Sequence, residues 1–505
     1  MSVAWPGTAP ARGLAAVRGR LAEWFGLDLR SLAAFRIGLG VLLLADLIGR
    51  AGDLTAHYTD QGVLPRSAIP AARYVSLHML DGTADFQAAL FVLAGLFALA
   101  LLVGWWTRAA AVGSWFLLMS LHARNPMVLH GGDNLLRVLL FWGLFLPLGA
   151  RWSLDGLRQR GAGPPGDRVV SAGSAALVLQ LCFVYWFSAA LKSDPAWRSE
   201  GTAVYYALSI EQFATPLAHD LLGFPGLLRG LTFATLALEA AGPALLFVPF
   251  FAGRVRLAVV AGFLLFHLAG LRLCLELGSF PWVCSVAWLA LLPGGFWDGA
   301  AGLARRPRWL AAGGGAGAGA GHPRPVLLNV LAASLLAYVF LWNLRTTDPG
   351  RWGRVLPARA DFLATTFGID QKWDMFAPRP LRDSGWYVAQ GNRRDGAAVD
   401  LLRDGAPVCW EQPPLVSATY RNERWRKYLM NLWAKDNAAH RPLYARYLLR
   451  EWNARHEGGS VMDSAELYFM LKRTLPDYQV ARPEKVLLCA TGAGAPEQLT
   501  AGAVP

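Results

Sequence analysis

Lys192 is the only lysine before Lys372, in a stretch that uses arginine more than twenty times. The two cations are not equivalent chemically. A guanidinium stays protonated, whereas a lysine amine that is taken out of water can shed its proton and serve as a base. A solitary lysine in an arginine-rich chain therefore points to proton transfer, with a side chain that merely snorkels to an interface as the plainer alternative. Tyr185, Trp186, Ser188 and Ala189 precede it, and Ser193, Asp194, Pro195, Ala196 and Trp197 follow. Aromatic rings in that pattern form either an interfacial belt or the lining of a quinone-sized apolar pocket.

Seven further ionisable residues fall in apolar surroundings: Arg36, Asp46, Asp133, Arg137, Glu239, His267 and Glu276. Each costs on the order of several kcal/mol inside a lipid-facing helix unless it meets a partner or a cavity, so each is a functional candidate. Asp133 and Arg137 are four apart and are expected to share a helix face as an ion pair. His122 and His130 lack a third ligand at metal-binding spacing, and none of the five cysteines forms a CxxC pair, so no metal is expected.

The elements that must position these groups are apolar. The chain is 54% hydrophobic and 16% charged, and the long apolar runs stop near residue 345. That division predicts an all-α polytopic membrane bundle of eight to nine transmembrane helices, followed by a small C-terminal α+β domain. Candidate spans lie near 32–49, 86–106, 109–121, 134–150, 172–191, 230–251, 256–274, 279–293 and 326–342, the third and eighth being short. The expected divisions are an N-terminal segment 1–30, a transmembrane domain 31–343 and a soluble domain 344–505. Arginines in the connecting segments gather on the side of the N-terminus, which makes that side cytoplasmic. Nine spans then put the C-terminal domain outside the cytoplasm of a cell-membrane protein. The net charge of +13 is spread over short loops rather than over one soluble module, which excludes a nucleic-acid binder.

Smaller features complete the reading. The Ala/Gly run 311–321 reads as a flexible linker. Asp395 and Gly396 read as the turn of a β-hairpin. Residues 417–455 are apolar at helical spacing among many cations, a basic amphipathic helix that either touches anionic headgroups or presents a solvated face. Cys409 and Cys489 are either a disulfide or two unrelated thiols.

The order of several short stretches resembles the horizontally transferred transmembrane (HTTM) domain proteins, which include vitamin K-dependent gamma-carboxylase and bacterial relatives. The matching pieces are Arg36 and Asp46, the loop from Tyr58 to Pro65, Gly131-Gly132-Asp133, Trp152 to Gly156, Lys192 to Trp197, Glu239, Phe266-His267 and Gly278 to Trp282, with Trp373 to Pro378 in the tail. Lys192, Asp194 and Trp197 match a Lys-x-Asp-x-x-Trp pattern that contains the base of the carboxylase. The resemblance implies a carbon–carbon lyase and quinol epoxidase that uses reduced vitamin K or another quinol, with Lys192 catalytic. Asp133, Arg137, Tyr185, Asp194, Trp197, Glu239 and His267 are the pocket candidates. Gly132 or Asp133 stands where the animal carboxylase has a histidine, so quinol oxidation without carboxylation is a second expectation. The family also leaves room for a non-enzymatic membrane factor that matures or exports a partner polypeptide.

Overall fold

The computed structural model describes residues 9–69, 74–158, 167–303 and 325–492. The Ala/Gly run 311–321 lies outside the described residues, as does the whole segment 304–324 that contains it.

Continuous apolar sequence with no internal proline gives the bundle its long helices. The first, α1 (Leu29–Ala51), is started by Asp28, whose carboxylate accepts the Arg30 N–H at 2.8 Å. Its 23 residues reach about 34 Å at 1.5 Å per residue, enough to cross a hydrocarbon layer. Next come α2 (Ala84–Val103), α3 (Thr107–Arg124), α4 (Gly131–Gly143), α5 (Ala172–Leu191) and α6 (Pro225–Ala241). They are followed by α7 (Ala252–Leu265), α8 (Phe280–Leu289), α9 (Gly294–Leu303) and α10 (Val326–Thr347).

Six segments of the described residues are long and apolar enough to cross a membrane: Leu29–Ala51, Ala84–Val103, Ala172–Leu191, Pro225–Phe247, Ala252–Cys274 and Val326–Thr347. A seventh is added if α8 and α9, bent by 89° at their junction, count as one broken span. This corrects the expected eight to nine. The candidates 109–121 and 134–150 correspond to α3, which ends in His122 and Arg124, and to α4, which is only 13 residues long. Nearly every α4 side chain is buried by other helices. A helix sheltered in this way needs neither the length nor the uniform apolarity that contact with lipid demands.

Arg36 of α1 illustrates how a charge is accommodated in such a bundle. Its guanidinium donates to the carbonyls of Leu101 (2.7 Å) and Leu102 (2.6 Å) at the end of α2, and to that of Trp152. The α2 chain can turn back there because Gly104 sits at φ +70°, where a Cβ would strike Arg36 and Ser153.

The tail is an α+β domain around a five-stranded antiparallel sheet. Its strands are β1 (Asp383–Arg393), β2 (Ala398–Asp400), β3 (Ala406–Pro407), β4 (Met462–Arg473) and β5 (Glu484–Gly492), in the spatial order β3-β2-β1-β4-β5. The hairpin expected about Asp395-Gly396 joins β1 to β2, with Gly396 at φ +88°. Both faces of β1 are buried. One packs Tyr387 and Ala389 against α11 (Glu423–Trp433) and α12 (Arg441–Asn453), and the other packs Trp386 and Val388 with Val416.

The basic amphipathic helix expected over 417–455 is thus two helices, whose apolar faces enter the core of the tail while Arg446 and Arg450 stay exposed. Trp425, Tyr428, Leu429 and Leu432 enter the core of the tail, and Arg424 and Arg426 are buried. Cys409 and Cys489 are thiols rather than a disulfide. Cys489 lies in β5, whereas Cys409 follows β3 in a segment that crosses the sheet face, its neighbour Trp410 packing on Tyr468 of β4 and Lys485 of β5.

The chain between α10 and β1 plugs into the bundle. Gln371 accepts from Trp373 Nε1 (2.8 Å) and from Gln180 Nε2 (2.7 Å), while its carbonyl accepts from Trp342 Nε1 (2.8 Å). Trp373 is completely enclosed.

Candidate functional site

Tyr185, Ser188 and Lys192 lie three, four and seven residues apart, so they line one face of α5 over two turns. Lys192 ends that helix, its N–H reaching the Ser188 carbonyl at 3.2 Å. Asp194 then starts a short helix, Pro195–Arg198, by accepting the Ala196 N–H at 3.0 Å, with proline in the first turn where no backbone donor is needed. This tight reversal carries the Trp197 ring back over the Lys192 ammonium, 5.1 Å from nitrogen to ring centre. Arg198 fixes the turn by donating to the carbonyls of Lys192 (2.9 Å) and Ala189 (3.1 Å). The tail closes over it, with Trp197 Nε1 donating to the Phe376 carbonyl at 2.9 Å. Asp194 does not touch the amine; its other oxygen faces Arg379 at 3.8 Å.

Lys192 is 2% exposed. Its Nζ donates to Glu239 Oε2 of α6 and to Ser188 Oγ, both at 2.6 Å. A buried ammonium with no counter-charge would be untenable, so Glu239 is what permits this lysine to be here. The contact is also short enough for a proton to pass between nitrogen and carboxylate.

Two turns back along α5, Tyr185 OH lies 2.7 Å from His267 Nε2 and accepts from Trp288 Nε1 at 2.7 Å. His267 belongs to a π-helical turn, Phe266–Leu271, that interrupts the apolar segment running from α7 to Cys274. Such turns re-aim a side chain that regular helical geometry would point elsewhere. His267 Nδ1 is buried without a hydrogen-bond partner among the described residues. Phe263 stacks on Trp288 with ring centres 4.2 Å apart, Tyr185 packs on Phe263 at 4.3 Å, and Phe280 meets the edge of His267. The surroundings are aromatic, with one orphaned polar atom among them.

Asp133 and Arg137 do not pair with one another and do not touch this cluster, a correction to the expected ion pair. Asp133 closes the first turn of α4, where its Oδ2 accepts the His130 N–H at 2.8 Å and the His130 ring accepts the Gly132 N–H at 3.0 Å. That geometry turns its carboxylate toward Arg50 (2.6 Å) and Arg424 (2.7 Å). Arg137, one turn further on, donates to Tyr74 OH (2.6 Å) and to the carbonyls of Gly368 and Asp370 (2.8 Å each). The spacing made a pair geometrically available, but each group met a better placed partner across the fold. Glu276, expected within the apolar region, is a partly exposed residue paired with Arg272 at 3.1 Å.

Asp46, Arg50, Asp133 and Arg424 together form a closed ring of alternating charge. Arg50 Nε contacts Asp46 at 2.8 Å, and Arg424 Nη2 returns to Asp46 at 2.6 Å. Arg50 also donates to Tyr58 OH at 2.7 Å, and Arg424 to the Val128 carbonyl at 3.0 Å. Reading the sequence did not single out Arg50 or Arg424. The four-residue spacing of Asp46 and Arg50 could have found the first, but no local signal marks Arg424, which arrives from the tail.

Above this ring, His57 packs its ring against Trp425 at 4.4 Å, and neither of its nitrogens has a hydrogen-bond partner among the described residues. Burial pushes its imidazole down to about 3, with Asp53 opposing and Arg50 and Arg424 adding to the effect. Burial does the same to His78, also to about 3.

Compared with known families, residues 26–293 match the model of the HTTM domain, more than half of the chain. No curated protein and no solved structure matches the chain.

Proposed function

The chain belongs to the HTTM domain family, and on that premise we propose that this integral membrane protein is a quinol-dependent enzyme of the gamma-carboxylase type, with Lys192 as its base. The observation that carries this is the environment of Lys192: an enclosed amine 2.6 Å from the Glu239 carboxylate, on the same helix face as a tyrosine bonded to a histidine with a free inner nitrogen. Two features of the aromatic cluster support a flat apolar quinol as the ligand. Rings of Phe263, Phe280 and Trp288 offer an apolar wall, and the orphaned His267 Nδ1 offers a hydrogen bond to a ring oxygen.

When bound, a reduced quinol supplies the electrons and the acidic ring hydroxyl, with dioxygen as the oxidant. The protein's part is proton handling. Lys192 Nζ and Glu239 Oε2 lie at hydrogen-bond distance in an enclosed site, the geometry a proton needs to move between them. Passing the ammonium proton to Glu239 leaves Nζ with a free lone pair, and Ser188 Oγ and the Trp197 ring hold that nitrogen in place. The Tyr185–Trp288 contact fixes the orientation of His267 through the tyrosine hydroxyl. The tail and Lys192 lie at the same end of α5 and α10, the end that the distribution of arginines assigns to the extracytoplasmic side.

The test is consumption of a reduced quinol by membranes containing the protein. Lys192→Ala and Lys192→Arg are expected to abolish it, and parental turnover in both would overturn the assignment of the base. Co-purification of one polypeptide, with no quinone in the lipid extract, would favour a maturation or export factor instead.

A further inference from the structure

A cleft of about 370 Å³ opens between the end of the α7 segment and the tail, lined on one side by Arg272, Glu276 and Trp282 and on the other by Tyr420, Glu423 and Arg426. Arg426 is 7% exposed, and among the described residues its side chain has no hydrogen-bond or ion-pair partner, its nitrogens opening onto the cleft. It rests over the Phe213 ring at 5.6 Å, while Glu423 and Glu276 act on it from beyond ion-pair distance. A guanidinium enclosed to this degree is expected to be bonded. Tyr420 OH, also on the cleft, is buried and lacks a partner too. Two unpartnered donors thus lie at one cleft, whose carboxylates Glu276 and Glu423 stand beyond hydrogen-bond distance of them.

The membrane supplies the context. Leu265 and Leu273 of the α7 segment and Trp282 of α8 are 67%, 55% and 49% exposed, an apolar strip that leads along the bundle surface to the cleft. Tryptophan at such a boundary marks headgroup depth. The charges lining the cleft are two cations, Arg272 and Arg426, and two carboxylates, Glu276 and Glu423. Gly278, at φ +63°, gives the Glu423 carboxylate its room, since a Cβ there would overlap Oε2.

We propose that this cleft binds the headgroup of a zwitterionic membrane phospholipid, its phosphodiester on Arg426 and Tyr420 and its ammonium toward Glu423 and Glu276. The phosphodiester satisfies both orphaned donors. The balanced lining favours a headgroup that carries both charges over one that is only anionic, and the acyl chains follow the Leu265–Leu273–Trp282 strip. This site is independent of the chemistry assigned to Lys192.

The experiment is native mass spectrometry of the full chain released from nanodiscs of equal phosphatidylethanolamine and phosphatidylglycerol. The parent is expected to retain phosphatidylethanolamine preferentially. Arg426→Gln is expected to lose that retention by about tenfold, the scale of one charge-assisted hydrogen bond, and Arg426→Lys to keep part of it. Thermal melting of each variant in detergent separates lost binding from lost folding. Equal retention in the parent and Arg426→Gln, a preference for phosphatidylglycerol, or a retained peptide mass in place of lipid would each overturn the proposal. So would Arg426-dependent thermal protection by inorganic phosphate alone without lipid retention, which would make the ligand a soluble anion.

Discussion

Two buried charge clusters lie in the same bundle and are built on different principles. Around Asp46, Arg50, Asp133 and Arg424, two cations and two carboxylates close a ring and every guanidinium has two or more acceptors. Around Lys192 there is a single ion pair, a titratable amine in place of a guanidinium, and a histidine nitrogen left unbonded two turns away. A saturated ring has nothing left to offer a ligand, and its role is to join the tail to the bundle. The second cluster keeps an enclosed amine beside a carboxylate and a vacant hydrogen bond at His267, the kinds of group that proton chemistry uses.

The sharpest way to break this contrast is to empty the pair. In the double variant Lys192→Met/Glu239→Leu, quinol turnover is expected to fall about 10²–10⁴-fold, the usual worth of a general base. Thermal stability should stay near parental, because replacing both members of a buried pair with apolar groups is often neutral. Retained turnover would remove the distinction between the clusters. Arg424→Met is expected to do the opposite, costing about 3–5 kcal/mol because Asp46 and Asp133 are left facing one another without their second cation. Denaturant titration reads the loss, and limited proteolysis between Trp373 and Asp383 reads release of the tail.

Acid should also act on the ring side first. His57 and His78 are held near 3, below the ordinary value of 6.5, so the unfolded chain takes up protons that the folded one refuses. Their contribution is complete above about pH 6.5 and is lost as the pH falls toward 3. Hydrogen exchange across α11 is expected to rise over that window, and no change there would discount the histidines. The smallest effect tests local geometry. Asn422 caps α11 by accepting the Arg424 and Trp425 N–H groups, and its amide donates to Asp53 at 2.6 Å. Asn422→Ala is expected to cost about 1 kcal/mol in thermal unfolding, with quinol turnover untouched.

The face of α5 that carries Tyr185, Ser188 and Lys192 was legible in the spacing, and Glu239 and His267 were legible as polar residues in apolar runs. Which of them would meet was not. Glu239 is 47 residues from Lys192 and His267 is 82 from Tyr185, and no periodicity links positions on different helices. The pairing of Asp133 with Arg137 failed for the complementary reason: four-residue spacing makes a contact available, but capping geometry had already turned Asp133 toward α1 and the tail.

Local sequence therefore determined that this chain lives in lipid, that the tail contains a hairpin at Asp395-Gly396, and that Lys192 is chemically unlike its arginine neighbours. Hydrophobic length, turn chemistry and side-chain identity are properties of a few consecutive residues, so a sequence carries them openly. The charge ring, the Lys192–Glu239 contact, the orphaned nitrogen of His267 and the unbonded Arg426 were decided only by tertiary structure. In a low-dielectric interior the fate of a charge depends on which distant group arrives within about 3 Å, and that is set by packing of whole helices and by the docking of the tail.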